Sequence, residues 1–437
     1  MSCPINELSN RLNRGQADTG LIQLYGKTGI DVQKKRYLKL LDEGRKHLSG
    51  DQFILVSAPG RTELGGNHTD HNNGRVLASA VDLDCLALAT PTDDLCVTLF
   101  SAEYSEPIRV QLEELTAQPE EQGTPHALIR GVAAARRNQG RSIGGFSAVV
   151  HSTCTPGTGL SSSAAFSVLI GGIFAFLYEG MVSDPVQLAL DARTAENKFF
   201  GKPCGLMDQL SSSVGSTLGI DFQNPDKPDI TRITAAFDSS GYQLVIIDTG
   251  GSHIALTPDY ASIPAEIEMC TKVLGKDKAR GLSPDDLLKH IDKLRDVAGD
   301  RAVLRLMHFI CEDQRAALQV KALQDNNFTY FLELVKQSGE SSCKLLQNCA
   351  SSTNTREQGI LLARSFSDHY FPEAVCRVHG GGFAGTVQAY IANESFAAYR
   401  QFMEQIFGRD AVIPIRIGRP GICSFAEHGW IVPGTQG

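Results

Sequence analysis

Two segments of this chain concentrate side chains able to do chemistry. The run TPGTGLSSSAA, residues 155–165, crowds small residues just ahead of an apolar stretch long enough to form a helix. Glycines in such a place let backbone N–H groups approach an anion, and the helix start adds its unpaired donors and the positive end of its dipole. This is the make-up of a phosphate cradle, with Gly157, Thr158, Gly159, Leu160, Ser161, Ser162 and Ser163 as its candidate contacts. The pattern G-x-x-x-x-G-K-[ST] and its lysine are missing, so the cradle is not a Walker loop. Taken alone, the same residues also read as a flexible turn with a serine cap.

The second segment, APGRTELGGNHTDHNNG at residues 58–74, packs Arg61, Glu63, Asn67, His68, Asp70 and His71 among glycines in what reads as one loop. So many donors and acceptors in one place suit a polyol, whose hydroxyls need both at fixed directions. A metal site built from His68, Asp70 and His71 is a competing reading, although adjacent loop residues rarely converge on one ion. A solvated turn is the other.

These segments need elements to hold them. Val32, Tyr37, Leu40 and Leu41 recur at helical spacing, predicting a surface helix over 30–48 that serves as a lid or a brace. The run QFILVSA reads as a strand ending at Pro59-Gly60, and residues 75–104 hold several short β-type runs, so an antiparallel sheet is expected. Helices are predicted over 126–138, 184–200 and 207–215, and strands over 143–152 and 244–248. Helices dominate 264–364; two β-type runs, a helix over 395–406 and a last strand near 411–417 follow. The pattern restarts beyond about residue 225, where two α+β halves are expected to meet.

Bulk properties limit the function classes. With 437 residues, 42% hydrophobic and 21% charged, the chain can bury a large core, and its net charge of -8 gives no basic footprint for nucleic acid. The first residues lack the basic-then-apolar order of a signal peptide, and no run approaches the roughly 18 apolar residues of a membrane span, so a cytoplasmic location is expected. Eleven scattered cysteines without a C-x-x-C pair fit neither a disulfide framework nor a zinc site and are expected to be mostly small buried hydrophobes.

Together the motifs resemble those of the galactokinases, within the GHMP kinase superfamily. GRTELGGNHTDH is similar to the galactokinase signature GRVNLIGEHTDY, matching at Gly60, Arg61, Leu64, Gly66, His68, Thr69 and Asp70. The cradle resembles the superfamily's second motif, and GGGFAG at 380–385 resembles its third, GGGFGG. The resemblance implies an α+β, two-domain GHMP kinase fold of mixed sheets with helices packed on them. A sugar- and ATP-binding domain would span 1–225, a C-terminal domain 226–437, with the active site in the cleft between them. It further implies transfer of a phosphoryl group from ATP to the anomeric C1 hydroxyl of galactose or a similar sugar. AENKFFGKPCGLMDQLSSSVG looks like the family segment from a metal-binding glutamate to a catalytic aspartate. By that likeness Glu196 and Ser163 bind Mg²⁺, while Asp208 faces the substrate hydroxyl with Arg61 beside it. Asn67, His68, Thr69, Asp70 and Tyr260 select the sugar, and His253 matches a family histidine, with an ordinary structural role. The implied partners are the sugar and ATP alone, with no nucleic acid or membrane, and a monomer is the expected state.

Three departures bear on the substrate. Asn67 stands where the signature has glutamate, Glu63 where it has asparagine and His71 where it has tyrosine. Replacing an anion by an amide removes repulsion against a negative substituent and adds a donor, which raises galacturonate and N-acetylgalactosamine as alternatives to galactose. PAEIEM follows the Tyr260 segment in place of a basic pair, and the amino-terminal 50 residues run longer than the galactokinase pattern. A catalytically silent sugar sensor and a kinase for a non-sugar alcohol are rival functions, opposed by the intact run Ser161–Ala165 and by the polyol loop respectively.

Overall fold

The computed structural model describes residues 2–154, 159–234, 237–251, 257–427 and 429–433. Gly157, Thr158 and His253 lie outside the described residues. Thirteen strands are present among the described residues: β1 Ile54–Gly65, β2 Arg75–Pro91, β3 Cys96–Ser101, β4 Ile108–Gln111, β5 Phe146–Ser152, β6 Thr217–Asp221, β7 Asp229–Ile233, β8 Tyr242–Asp248, β9 Val375–His379, β10 Thr386–Ala392, β11 Val412–Ile415, β12 Cys423–Ala426 and β13 Gly429–Ile431. Nine form one sheet, in the order β13-β12-β1-β2-β5-β3-β4 with β6 and β7 branching from β2. The other four form a second sheet, β11-β8-β10-β9. All pairings are antiparallel except that of β3 with β5.

Each sheet face is covered because its side chains alternate between two hydrophobic fillings. Ile54, Val56, Ala58, Ala87 and Ala89 pack under the apolar helix Ser162–Tyr178 and its neighbours. Leu55, Leu86, Leu88 and Phe425 face the other way, onto helices Ile5–Asn13, Asp18–Tyr25 and Ile30–His47. The amino-terminal extension is therefore a brace. Its tie to the sheet is electrostatic as well as apolar. Asp84 on β2 is fully buried and accepts hydrogen bonds from Tyr25, Arg36, Ser57 and Arg419.

Two expectations need correction. The strand thought to stop at Pro59-Gly60 runs on to Gly65, so Arg61 and Glu63 belong to β1 and not to a loop. The proline is tolerated because the β1–β2 register shifts between Pro59 and Arg61, a bulge that leaves no ladder bond for its missing N–H to make. Nor is 411–417 the last strand, since β12 returns to pair with β1. A boundary near residue 225 falls between β6 and β7, which pair with each other in the first sheet. β7, β12 and β13, all beyond that boundary, join the same sheet as β1–β6.

Candidate active site

The bulge in β1 turns Arg61 toward the start of helix Met207–Val214. There its Nε lies 2.6 Å from Asp208 Oδ1, while its Nη1 donates to the Gly159 carbonyl. Ser161 Oγ donates to the other oxygen, Asp208 Oδ2. One carboxylate thus joins the β1 arginine to the Gly/Ser segment. Burial raises the pKa of Asp208, but the Arg61 charge and hydrogen bond, with Lys202 and Ser161 adding to them, outweigh it and hold the carboxyl below its ordinary 3.8. The segment itself is closely seated. Gly159 has φ +70°, and a Cβ there would lie 2.7 Å from both His379 Nδ1 and Thr386 Oγ1, so only glycine fits. His379, which sequence reasoning did not single out, is buried under the segment between Thr62 and Thr386.

Ser161 caps helix Ser162–Tyr178 in the left-handed region, at φ 58°, and makes no side-chain cap bond. The first-turn N–H groups therefore remain available to an anion, as a cradle requires. Ser161, Ser162 and Ser163 are each partly exposed, whereas the Leu160 side chain is buried in the core. Leu160 can contribute only through its backbone, and its carbonyl is already held by the Arg61 N–H.

Glu196 opens a π-helical turn, Glu196–Phe200, that ends helix Pro185–Ala195. The carboxylate is 1% exposed, takes hydrogen bonds from Ser163 Oγ at 3.0 Å and Gln209 Nε2 at 2.8 Å, and has Lys202 at 3.8 Å. Burial pushes its pKa up, so the charged form is under-compensated. A buried carboxylate and a hydroxyl sharing one edge of the cradle form the hard oxygen pair that Mg²⁺ takes alongside phosphate and water. The donor set fits the ion.

The polyol loop divides into two layers. His68 and Asp70 are partly exposed, and the His68 ring lies 6.2 Å from that of Tyr260 of helix Thr257–Val273, which packs against the backbone of Gly381. Burial and the neighbouring His71 lower His68 to about 4, so its imidazole is neutral. Because Nε2 donates to the Gly381 carbonyl at 2.9 Å, Nδ1 is left as an acceptor. Asp70 Oδ2 lies against Gly205, where a Cβ would come within 2.1 Å. Gly205, another residue not anticipated, is three residues before Asp208, so Asp70 packs against the segment that leads into the helix carrying Asp208.

Asn67 and Thr69 form the lower layer. Asn67 is 1% exposed; its amide donates to Glu63 at 3.1 Å and to the Gly380 carbonyl at 2.8 Å, and accepts from Asn348 at 2.9 Å. Thr69 is fully buried, its hydroxyl given to the carbonyls of Gly66 and Arg75. Both side chains are thus bonded within the loop and to the segments packed against it. Glu63 is buried beside Asn67 and paired with the fully buried Arg377 of β9. The carboxylate that the signature carries at position 67 has moved four residues back, and the amide has moved forward to meet it. The third glycine motif completes this layer, since Gly380 and Gly381 offer their carbonyls to Asn67, His68 and Asn348.

This fold is that of the GHMP kinases, whose N-terminal domain model matches residues 127–216. A second model, the galactokinase galactose-binding signature, matches residues 45–91. Galactokinase of Bos taurus is 31% identical over 369 residues, covering 81% of this chain and 88% of its own. The chain belongs to the galactokinase family. In three dimensions it resembles galactokinase of Lactococcus lactis, solved in complex with galactose, at a TM-score of 0.75 and 21% identity, covering 88% of this chain and 98% of that one. Mevalonate kinase of Methanococcus jannaschii is a more distant likeness, with a TM-score of 0.57 and 16% identity over 83% of this chain and 98% of the other.

Proposed function

We propose that this chain transfers the γ-phosphoryl group of ATP to the anomeric C1 hydroxyl of galactose. The observation that carries the reading is the position of Asp208. Its carboxylate is held at once by Arg61 and by Ser161 of the cradle, a few residues from Gly205, on which Asp70 rests. A sugar hydroxyl gripped by Asp70 and His68 and a phosphate on the cradle would meet at that carboxylate.

Phosphoryl transfer depends on positioning and charge neutralisation more than on covalent help. Asp208 orients the C1 hydroxyl and takes its proton as the oxygen bonds to the γ-phosphorus and the bridging P–O bond breaks, releasing ADP. Arg61 keeps Asp208 ionised and shares the negative charge that develops. The same cation makes Asp208 a weak base, so the proton moves late in the step. Ser163 and Glu196 would hold Mg²⁺, which when bound neutralises phosphate oxygens. Such a reaction belongs in the cytoplasm, where ATP is available. Among the described residues no helix is long and apolar enough to cross a membrane.

The alternatives for a charged or N-acetylated sugar lose their footing in the lower layer of the loop. Asn67 is committed to Glu63, Gly380 and Asn348, and the displaced carboxylate is neutralised by Arg377. The exchange is internal, so galactose is the preferred substrate. A coupled assay of ATP consumption with galactose, galacturonate and N-acetylgalactosamine tests this. Preference for galactose is expected; preference for either analogue would overturn the substrate, and galactose binding without turnover would make the chain a sensor.

A further inference from the structure

Cys343 and Cys349 stand apart from the other cysteines. Eight of the eleven are buried and none is in a disulfide, in keeping with their expected role as small hydrophobes. Cys343 is half-buried, in a π-helical turn, Ser342–Leu346, that ends helix Phe328–Ser341; Cys349 is 2% exposed, three residues past the turn. Both face one guanidinium: Arg364 Nη1 contacts Cys343 Sγ and lies 3.7 Å from Cys349 Sγ, while donating to the Gly339 carbonyl at 2.9 Å. Both also line a cavity of about 240 Å³ bounded by Arg305, Gln347, Leu361 and Phe383.

The neighbouring Cys349 thiol, helped by the Arg364 charge and opposed by burial, draws the Cys343 thiol down to about 7. The neighbouring Cys343 and burial push Cys349 up. This is a division of labour between a thiolate that attacks and a thiol that resolves.

We propose that Cys343 and Cys349 form a reversible redox site, oxidised by peroxide to a disulfide that loosens the sugar loop. The Cys343 thiolate attacks one peroxide oxygen; the O–O bond breaks, hydroxide leaves and Cys343 becomes a sulfenic acid. The Cys349 sulfur then attacks the Cys343 sulfur, the S–S bond forms, the S–O bond breaks, and the hydroxyl leaves as water with the Cys349 proton. Two electrons pass from the thiols to the peroxide. A dithiol reductant reverses the change.

The route to the sugar loop is short because Asn348 lies between the cysteine turn and Cys349. Its side-chain amide donates to Asn67 Oδ1 at 2.9 Å and to the Gly381 carbonyl at 3.0 Å, and its carbonyl accepts from the Phe383 N–H. Ser342, next to Cys343, also reaches Asn67, at 3.3 Å. Closing the disulfide tightens 343–349 around Asn348 and replaces an anion by a neutral group, leaving the largely buried Arg364 without its charge partner. The loop supports carrying His68 and Tyr260 must then shift, while among the described residues Ser161 and Ser163 bond to Asp208 and Glu196 instead of to this network. This consequence rests on the galactose reading; formation of the disulfide does not.

The test treats the full reduced chain with hydrogen peroxide and removes the excess. Intact mass and peptide mapping then locate the product, and galactose and ATP affinities are measured before and after. The expected product is two hydrogens lighter, with a 343–349 cross-link. Galactose affinity should fall by about tenfold or more, as loss of one or two supporting hydrogen bonds would give. ATP affinity should hold, dithiothreitol should restore the original values, and Cys343→Ser and Cys343→Ala should both resist. Cross-linking elsewhere, reaction at Cys204 or Cys311 ahead of Cys343, or a 343–349 bond that leaves galactose affinity unchanged would overturn the proposal. If the reduced chain binds no galactose, the substrate reading has failed, and the site is judged on mapping and reversal alone.

Discussion

At the scale of the residue, position 67 shows how a motif departure misleads when it is read singly. From the sequence, Asn67 in place of glutamate pointed to a changed substrate; in the fold it is half of an exchange with Glu63, whose carboxylate meets Arg377. A motif string shows both substitutions but not that the side chains touch, because the β1 bulge between Glu63 and Gly65 decides that. Glu63→Gln should destabilise the chain by about 3 to 5 kcal/mol, as breaking one side of a buried ion pair does. Adding Asn67→Glu returns a carboxylate to the same pocket. A double-mutant cycle by thermal denaturation should show recovery of at least about 1 kcal/mol beyond additivity, whereas strictly additive losses would mean that the two positions are independent. Asp208 makes a kinetic prediction. Asp208→Asn keeps the shape and a hydrogen bond to Arg61 but cannot take a proton. Turnover should fall by about 10² to 10⁴-fold with galactose affinity within a few-fold of wild type, and near-normal turnover would remove Asp208 from the mechanism.

At the scale of the element, legibility followed length and periodicity. Helix Ile30–His47 and helix Met207–Val214 were plain from their spacing. The two short helices before residue 26, of nine and eight residues, were not, since so few turns give little period to detect and their burial comes from packing on the sheet. Strands β12 and β13, of four and three residues, are fixed by pairing to β1 and to each other and by no local signal. The site was legible as motifs, whereas Gly205 and His379 were not, because their importance is one of distance. A Cβ on Gly205 would strike Asp70, while one on Gly159 would strike His379. Gly205→Ala should therefore push Asp70 away from the sugar. At about 1 to 3 kcal/mol for overpacking, the KM for galactose should rise roughly 5- to 150-fold while that for ATP stays level. An equal rise in both would mean that the whole cleft had moved.

At the scale of the molecule, the largest sheet is closed by pieces from far along the chain, and a single buried carboxylate fastens them. Asp84 receives Arg36 and Tyr25 from the amino-terminal brace, Ser57 from β1 and Arg419 from the segment leading into β12. Burial opposes ionisation of Asp84, but the two arginines and the hydroxyl donors prevail and hold its pKa at about 2, against an ordinary 3.8. A pKa depressed on folding means that the unfolded chain binds the proton more readily, so the stabilisation is full above pH 3.8 and drains away as pH falls toward 2. The total acid profile mixes this with groups of opposite sign: Asp82, raised to about 6 by burial, favours the folded state as it takes up its proton. Comparison with Asp84→Asn isolates the one carboxylate, because the other groups are common to both proteins. At neutral pH the variant should be less stable by about 3 to 5 kcal/mol, through two buried guanidinium groups left without an anion. Measured by denaturant unfolding at successive pH values, that gap should stay constant down to about pH 4 and then narrow toward pH 2, where Asp84 itself becomes neutral. A gap that keeps its size across this range would show that the side chain's shape, and not its charge, joins the brace to the sheet.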